Sequence, residues 1–352
     1  DYCTKKRRKF KTLFKIALFK FGNFYTDRYF MKNLILIVAG EPESINTELL
    51  SKLWIATNDK LRKKIVVIGN YLVIKDQLKK IRKKIPLNKI ESINSKFNHK
   101  ALNILNIKLK YKNPFYIKKN LNRDYVLSSI NYAHNLCKNK LAKGFINCAI
   151  DKKKLFYEKN TGLTEYLASI NGLKGEEVML IYNKSLSVVP LTTHIRLKEL
   201  FTKLDKNYII KKIKILNKKY KKLFGFKPKI CLLGVNPHNY ENRINSEEIK
   251  IIKPAVKYLR SNKIKIDGPI PADTAFNKLN IRKYDVIVGI YHDQVLAPFK
   301  ALFGYDAINI TLGLPYLRIS PDHGTGKDII KKNMADPLSL INSVKFYFKA
   351  KN

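Results

Sequence analysis

Residues 285–300 read DVIVGIYHDQVLAPFK. The first six are mostly apolar and β-branched, the composition of a buried strand. They run directly into Tyr291, His292 and Asp293, and a buried strand end is a costly place for polar groups unless they bind something. Outward from this stretch the same kind of run recurs: LILIVA (34–39), KIVVIG (64–69), GFINCAI (144–150), EVMLIY (177–182), SVVPL (187–191), ICLLGV (230–235) and AINITLG (307–313). Helix-like segments lie between them, for example Asn46–Ile55, Leu197–Leu204, Ser246–Leu259 and Pro337–Phe348. The third opens SEEI, a cap residue followed by acids in the first turn. Short apolar strands alternating with helices predict an α/β fold. Residues 84–125 are rich in Lys and Asn, contain Pro86 and Pro114, and show weak periodicity, so they are expected to be irregular or peripheral. No internal repeat is present.

Three of the six histidines share one kind of place. His194 follows SVVPLTT, His238 follows ICLLGVNP and His292 follows DVIVGIY. In open α/β sheets the carboxyl ends of strands border the ligand crevice, so three imidazoles delivered from separate strands are expected to converge on one point. That is a metal-site geometry: neutral imidazole suits zinc and other divalent first-row ions, and three protein ligands leave positions open for a substrate. Asp293 and Glu241 are candidates to orient the rings or to add oxygen ligands. Any one of these histidines alone reads as a polar residue at a strand-to-loop junction; three together, each with polar neighbours, favour the ligand reading. His99 and His134 lie in Lys/Asn-rich surroundings and receive no role, whereas His323, in SPDHGTGKD, is a candidate for the edge of the site. The HGTGKD stretch is not a phosphate loop, because Asp328 follows Lys327 and no glycine lies five residues before Gly326. Nor does a G-x-G-x-x-G follow any strand, which leaves no Rossmann-type dinucleotide fingerprint.

A chain of 352 residues exceeds what one core usually organises, so one large or two medium domains are expected. Lys or Asn interrupts every hydrophobic segment before it reaches the roughly 18–20 residues of a membrane span, so the chain reads as soluble. The formal net charge is +43, from 70 Lys+Arg against 27 Asp+Glu, a balance that in a clustered form signals nucleic acid. Here the cations are scattered in Lys-dominated runs such as DKKKLF, KLKYKN and NKKYKKLFGFK, which argues for solvated faces and against a nucleic-acid stripe. Anionic small substrates are still attracted by such a field. Cys3, Cys137, Cys148 and Cys231 show no C-x-x-C spacing, and a reducing cytoplasm is expected. Residues 1–30 carry almost no acid and precede MKNLILIVAG; a targeting peptide and a basic anchor stay open, and the favoured expectation is a disordered extension outside the fold, with Met31 as the natural start.

Several strings, in order, resemble one family: GEP (40–42), TGLTEYLA (161–168), TTHIRL (192–197), GVNPH (234–238), GPIPADTAF (268–276), YHDQVLAPFK (291–300) and NITLGLPYLRISPDHGTG (309–326). The chain from Met31 to its C-terminus is similar to the 4-hydroxythreonine-4-phosphate dehydrogenases of pyridoxal phosphate biosynthesis. The resemblance implies an isocitrate/isopropylmalate dehydrogenase-like α/β fold, with residues 31–155 plus 319–352 as one subdomain and 156–318 as the other, around a cleft. It also implies a homodimer with active sites at the subunit interface, NAD, and a divalent metal (zinc, magnesium or cobalt) held by His194, His238 and His292. Substrate contacts carry over to Thr164, Lys300, Asn309 and Arg318, and the two cations suit a substrate bearing phosphate and carboxylate. Candidates for proton transfer are Asp293, Asp273 and Lys152.

The chain departs from the family pattern at three places. G-H-T-E reads GLTE, so Leu163 replaces a substrate-contacting histidine. GEPESINTE carries Ser44 and Asn46 where glycines stand, and the Gly-rich stretch after NPH has become NYENRINSEE. The expected reaction is oxidation of 4-phosphooxy-L-threonine, followed by decarboxylation to 3-amino-2-oxopropyl phosphate. Leu163 keeps open a related four-carbon sugar-acid phosphate, of the erythronate or threonate type, as substrate. The charge and lost glycines leave a third alternative, a degenerate enzyme that binds nucleic acid, which does not explain the retained histidines.

Overall fold

The structure, a computed structural model, describes residues 33–156 and 162–350. The extension expected over residues 1–30, and Met31 with it, lie outside the described residues. Among the described residues twelve strands form one sheet: β1 (Ile35–Val38), β2 (Ile65–Gly69), β3 (Leu87–Ile90), β4 (Leu102–Asn106), β5 (Gly144–Asn147), β6 (Val178–Tyr182), β7 (Ser187–Pro190), β8 (Ile230–Leu233), β9 (Ile266–Ile270), β10 (Val286–Gly289), β11 (Ile308–Leu312) and β12 (Leu317–Pro321). Their order is β3-β4-β2-β1-β5-β12-β11-β6-β7-β10-β8-β9. From β3 to β12 every neighbour is parallel. The β12–β11, β11–β6 and β6–β7 pairs are antiparallel, and β7, β10, β8 and β9 are parallel again. The second parallel block therefore runs opposite to the first. All eight apolar runs form strands of this sheet, and the fold is mixed α/β.

Strands β1, β2, β5, β8 and β10 are buried at every residue, as expected where helices cover both faces of a parallel sheet. Lys206–Phe224 shows how the lysine runs are absorbed. Ile209, Ile213, Leu216, Tyr220 and Leu223 recur at helical spacing and are buried, while most of the lysines between them face outward. Asp205 accepts from the Tyr208 amide at 2.8 Å to start this helix, and Gly225, at φ 91°, ends it. Among the described residues no helix is long and apolar enough to cross a membrane.

Residues 84–125 are peripheral, as expected, but not irregular throughout: they supply β3 and β4, which form one edge of the sheet, and the start of the Lys119–Lys138 helix, with irregular connections between. The sequence LNILN hides a strand because Asn103 reads as a polar break. In the fold Asn103 is buried yet satisfied, its Oδ1 accepting from Asn88 Nδ2 (2.8 Å) and the Asn98 amide (2.9 Å). The helix expected over Ser246–Leu259 is a π-turn, Glu248–Ile252, leading into Lys253–Ser261. Ser246 does cap it, accepting from the Ile249 amide at 3.3 Å.

Gly144 of β5 pairs with Leu317 of β12, and a Cβ at Gly144 would stand 1.8 Å from the Leu317 carbonyl oxygen. Gly144→Ala is expected to cost about 3 kcal/mol through overpacking, seen as a lowered urea midpoint. A midpoint equal to the parent's would contradict this pairing.

Candidate active site

Arg318, on β12, is 4% exposed. Its Nε donates to Asn147 Oδ1 of β5 at 2.8 Å, and Nη1 donates to Thr311 Oγ1 of β11 (2.9 Å) and Thr164 Oγ1 (3.2 Å). Burial pulls its pKa down to about 10, with Glu165 opposing, so the group remains a cation at neutral pH. Among the described residues its three hydrogen-bond partners are neutral and the Glu165 carboxylate acts on it through space, so the guanidinium is suited to take an anion through charge-assisted hydrogen bonds.

This cation lines a cavity of about 720 Å³, with Lys152, Thr164, Glu165, Lys300 and Asn309 also on its wall. Thus all four substrate-contact candidates face one space, together with Lys152. Asn309 Oδ1 is buried without a hydrogen-bond partner among the described residues, an acceptor available to a ligand. Lys300, from the His292–Phe303 helix, is ion-paired with Asp322. Lys152 is pulled below the usual lysine range by burial and by the nearby Arg318 charge. His323 reaches the same cavity. Its Nδ1 lies 2.9 Å from the Gly324 carbonyl oxygen, and burial lowers its pKa.

Leu163 also lines the cavity, but it is buried and packs in the core with Leu167 and Ala168, so this position offers no hydrogen-bonding group. Asn46 is accommodated where a glycine was expected. Its Nδ2 donates to the Ala39 and Ala149 carbonyls at 2.9 and 2.8 Å, tying the end of β1 to the segment after β5.

The histidines divide two and one. His194 and His292 follow β7 and β10, which are adjacent and parallel, and their ring centroids lie 6.0 Å apart. His292 Nδ1 is 2.7 Å from Asp293 Oδ1, and His194 Nδ1 is 3.6 Å from Glu165 Oε1. Burial raises the Glu165 pKa, but the His194 ring and the Lys152 charge help outweigh it and hold the carboxyl at about 2. A carboxylate at Nδ1 is the usual arrangement behind a ligating imidazole, with Nε2 left as the donor atom. His238 stands apart. It follows β8, one strand beyond β10, on a turn that leaves it 78% exposed with Nε2 4.0 Å from Asp273 Oδ2. Convergence of all three within one chain is not found: among the described residues no group of three His, Cys, Asp or Glu side chains could hold a metal ion. Asp293 is exposed and engaged with His292, and Asp273 faces His238. Of the three proton-transfer candidates only Lys152 is on the cavity wall.

Sequence reasoning missed Asn147, Glu165 and Asp322. Asn147 was the one polar side chain in the run GFINCAI, and Glu165 sat inside the quoted GLTE; both signals were present. Asp322 had none beyond its place at a strand end.

The family model described as pyridoxal phosphate biosynthetic protein PdxA matches residues 61–347 of the chain. The chain belongs to this family. It is 37% identical over 321 residues to the 4-hydroxythreonine-4-phosphate dehydrogenase of Sulfurihydrogenibium sp. (strain YO3AOP1), an alignment covering 88% of this chain and 96% of the relative. A crystal structure of 4-hydroxythreonine-4-phosphate dehydrogenase from Klebsiella pneumoniae superposes with a TM-score of 0.77 at 29% identity, covering 89% of this chain and 98% of that one. A putative 4-hydroxythreonine-4-phosphate dehydrogenase from Salmonella typhimurium gives the same score and identity over 90% and 98%. The family expected from the motifs is thus the family found, and membership makes the chain a dehydrogenase of pyridoxal phosphate biosynthesis.

Asn147→Ala removes one charge-assisted hydrogen bond from Arg318 and is expected to cost about 2 kcal/mol. Urea unfolding measures this, and an unchanged midpoint would show that Asn147 does not hold the guanidinium.

Proposed function

We propose that the chain catalyses the NAD- and divalent-metal-dependent oxidation of 4-phosphooxy-L-threonine to 2-amino-3-oxo-4-phosphooxybutanoate, which decarboxylates to 3-amino-2-oxopropyl phosphate. The observation that carries this proposal is Arg318, a buried cation whose hydrogen-bond partners among the described residues are neutral, on the wall of a cavity that also holds Lys300. A substrate with a phosphate at one end and a carboxylate at the other adds counter-charge to that supplied through space by Glu165.

In the proposed metal site His194 and His292 of one protomer act with His238 from a second copy in a homodimer. The donor set fits a divalent first-row ion, because two neighbouring imidazoles each present Nδ1 to a carboxylate, and nitrogen ligands favour zinc or cobalt over magnesium. Exposed apolar residues follow two of the histidines closely: Leu197 after His194, and Ile244, 82% exposed, after His238. Such residues suit burial against another copy. The cavity volume lies within the range of pockets that bury drug-sized ligands, which suits a nicotinamide ring beside a four-carbon phosphate. When bound, the ion supplies Lewis acidity toward a coordinated hydroxyl and nicotinamide supplies the hydride acceptor.

The chain's own residues would then bind and orient. Arg318 and Lys300 hold the anionic ends, Thr164 Oγ1 and Asn309 Oδ1 fix the carbon chain between them, and Lys152, its pKa lowered, takes the C3 hydroxyl proton as hydride leaves C3. Loss of carbon dioxide passes the carbon–carbon bond pair into the adjacent keto group. We further propose that residues 31–155 with 319–352 and residues 156–318 act as subdomains flanking this cavity. The buried, unpaired Cys137, Cys148 and Cys231 suit a cytoplasmic setting.

Leu163 favours one second reading, a four-carbon sugar-acid phosphate lacking the group that a histidine there would contact. NADH formation measured on both substrates separates the two, and the faster by kcat/KM identifies the substrate. With either, NADH is expected only in the presence of zinc or cobalt. Full turnover after verified removal of all metal would overturn the proposal.

A further inference from the structure

The chain after Pro237 adopts an unusual path. His238, Asn239, Tyr240, Glu241 and Asn242 are consecutive, none is glycine, and all have φ between 47° and 58°. L residues avoid left-handed backbone because Cβ crowds the following carbonyl, and single residues rather than runs adopt it. A run of this kind persists only where its surroundings over-determine it, and such places concentrate at functional sites. The clamp is visible at the entrance to the turn. Glu248, 0% exposed at the start of the π-turn, accepts from the Val235 amide (2.8 Å) and the Asn236 amide (2.9 Å) through Oε1. Its Oε2 accepts from Asn236 Nδ2 at 3.0 Å. At the other side Asn239, itself buried, donates through Nδ2 to the Pro269 carbonyl at 3.1 Å. Gln294 ties this turn to the second histidine: its Nε2 donates to the Gly234 carbonyl and its Oε1 accepts from the Ile290 amide, both at 2.7 Å.

We propose that Glu248 is a positioning residue for His238: by gripping the backbone of Val235 and Asn236 it holds the left-handed turn that presents His238 outward, toward another copy's His194 and His292. The inference rests on the reading of His238 as a metal ligand. It follows from physical chemistry that a buried carboxylate with three hydrogen bonds to one short loop restricts that loop to one arrangement. An exposed imidazole on a turn without this grip samples many positions, and the ordering it would then undergo on metal binding lowers affinity. NYENRINSEE, where the family has a Gly-rich stretch, increases the demand, because without glycine the left-handed conformation is not locally favoured.

The test is equilibrium cobalt binding to the full-length dimer, followed by competition with a chromophoric chelator. Glu248→Gln keeps an oxygen for the two backbone amides but loses the charge and the second acceptor; Glu248→Ala loses all three bonds. The expected result is weakening of about 10-fold for Gln and about 100-fold for Ala, the range seen when groups that orient ligands are removed. At saturating cobalt, kcat of Glu248→Gln is expected to return close to the wild-type value, a split that a general loss of structure would not produce. Melting curves and oligomeric state identify any variant that fails to fold, and Glu248→Gln then decides alone. If His238→Ala loses cobalt while folded Glu248→Gln binds it as tightly as wild type, the positioning inference is overturned and the ligand reading stands. Wild-type cobalt affinity in His238→Ala would overturn both.

Discussion

A guanidinium with 4% exposure within a twelve-stranded sheet must be compensated, since an isolated buried charge costs several kcal/mol. Arg318 is compensated only in part. Asn147 on β5, Thr311 on β11 and Thr164 at the head of the Leu163–Ile170 helix hold it in place through dipoles, and none brings a negative charge. These contacts lie at the seam where the parallel block from β3 to β12 gives way to antiparallel pairing. The same interaction therefore joins the two halves of the sheet and leaves electrostatic potential facing the cavity. Stability and the proposed anion recognition would then come from one side chain.

The wider charge has a milder role. Lysines such as those of the Lys206–Phe224 helix lie mostly on outer faces, where each contributes little to stability. Summed to +43, they raise the local concentration of anionic metabolites near the cavity and fall away in effect as salt rises.

Much of the fold was legible because buried strands need apolar, β-branched residues, and the eight runs carried them. LNILN was not, because an asparagine inside a strand looks like an interruption until its partners, Asn88 and Asn98, are known, and both are brought by folding. The site was legible to the level of residue type. The rule that ligands gather at strand carboxyl ends picked out His194, His238 and His292, and the motifs brought in Arg318 and Asn309. What the rule does not contain is strand order. With β7 beside β10 and β8 one place further, two histidines become neighbours, while the third is carried off on a left-handed turn. Leu163, read from the sequence as a lost hydrogen-bonding group, is buried among Leu167 and Ala168, where the fold accommodates an apolar side chain.

One protomer thus offers two imidazoles backed by carboxylates and a third, exposed and beside Asp273, that does not join them in a group of three donors among the described residues, an arrangement that makes sense if copies of the chain complete each other's metal sites. Subunit complementation tests this most directly. His194→Ala and His238→Ala chains are each expected to be inactive as homodimers. Unfolded together and refolded, half the dimers combine the two chains, and each such dimer holds one intact site, so the mixture should recover about a quarter of the wild-type NADH formation. A mixture that exchanges subunits fully and stays as inactive as its parents would contradict a shared site.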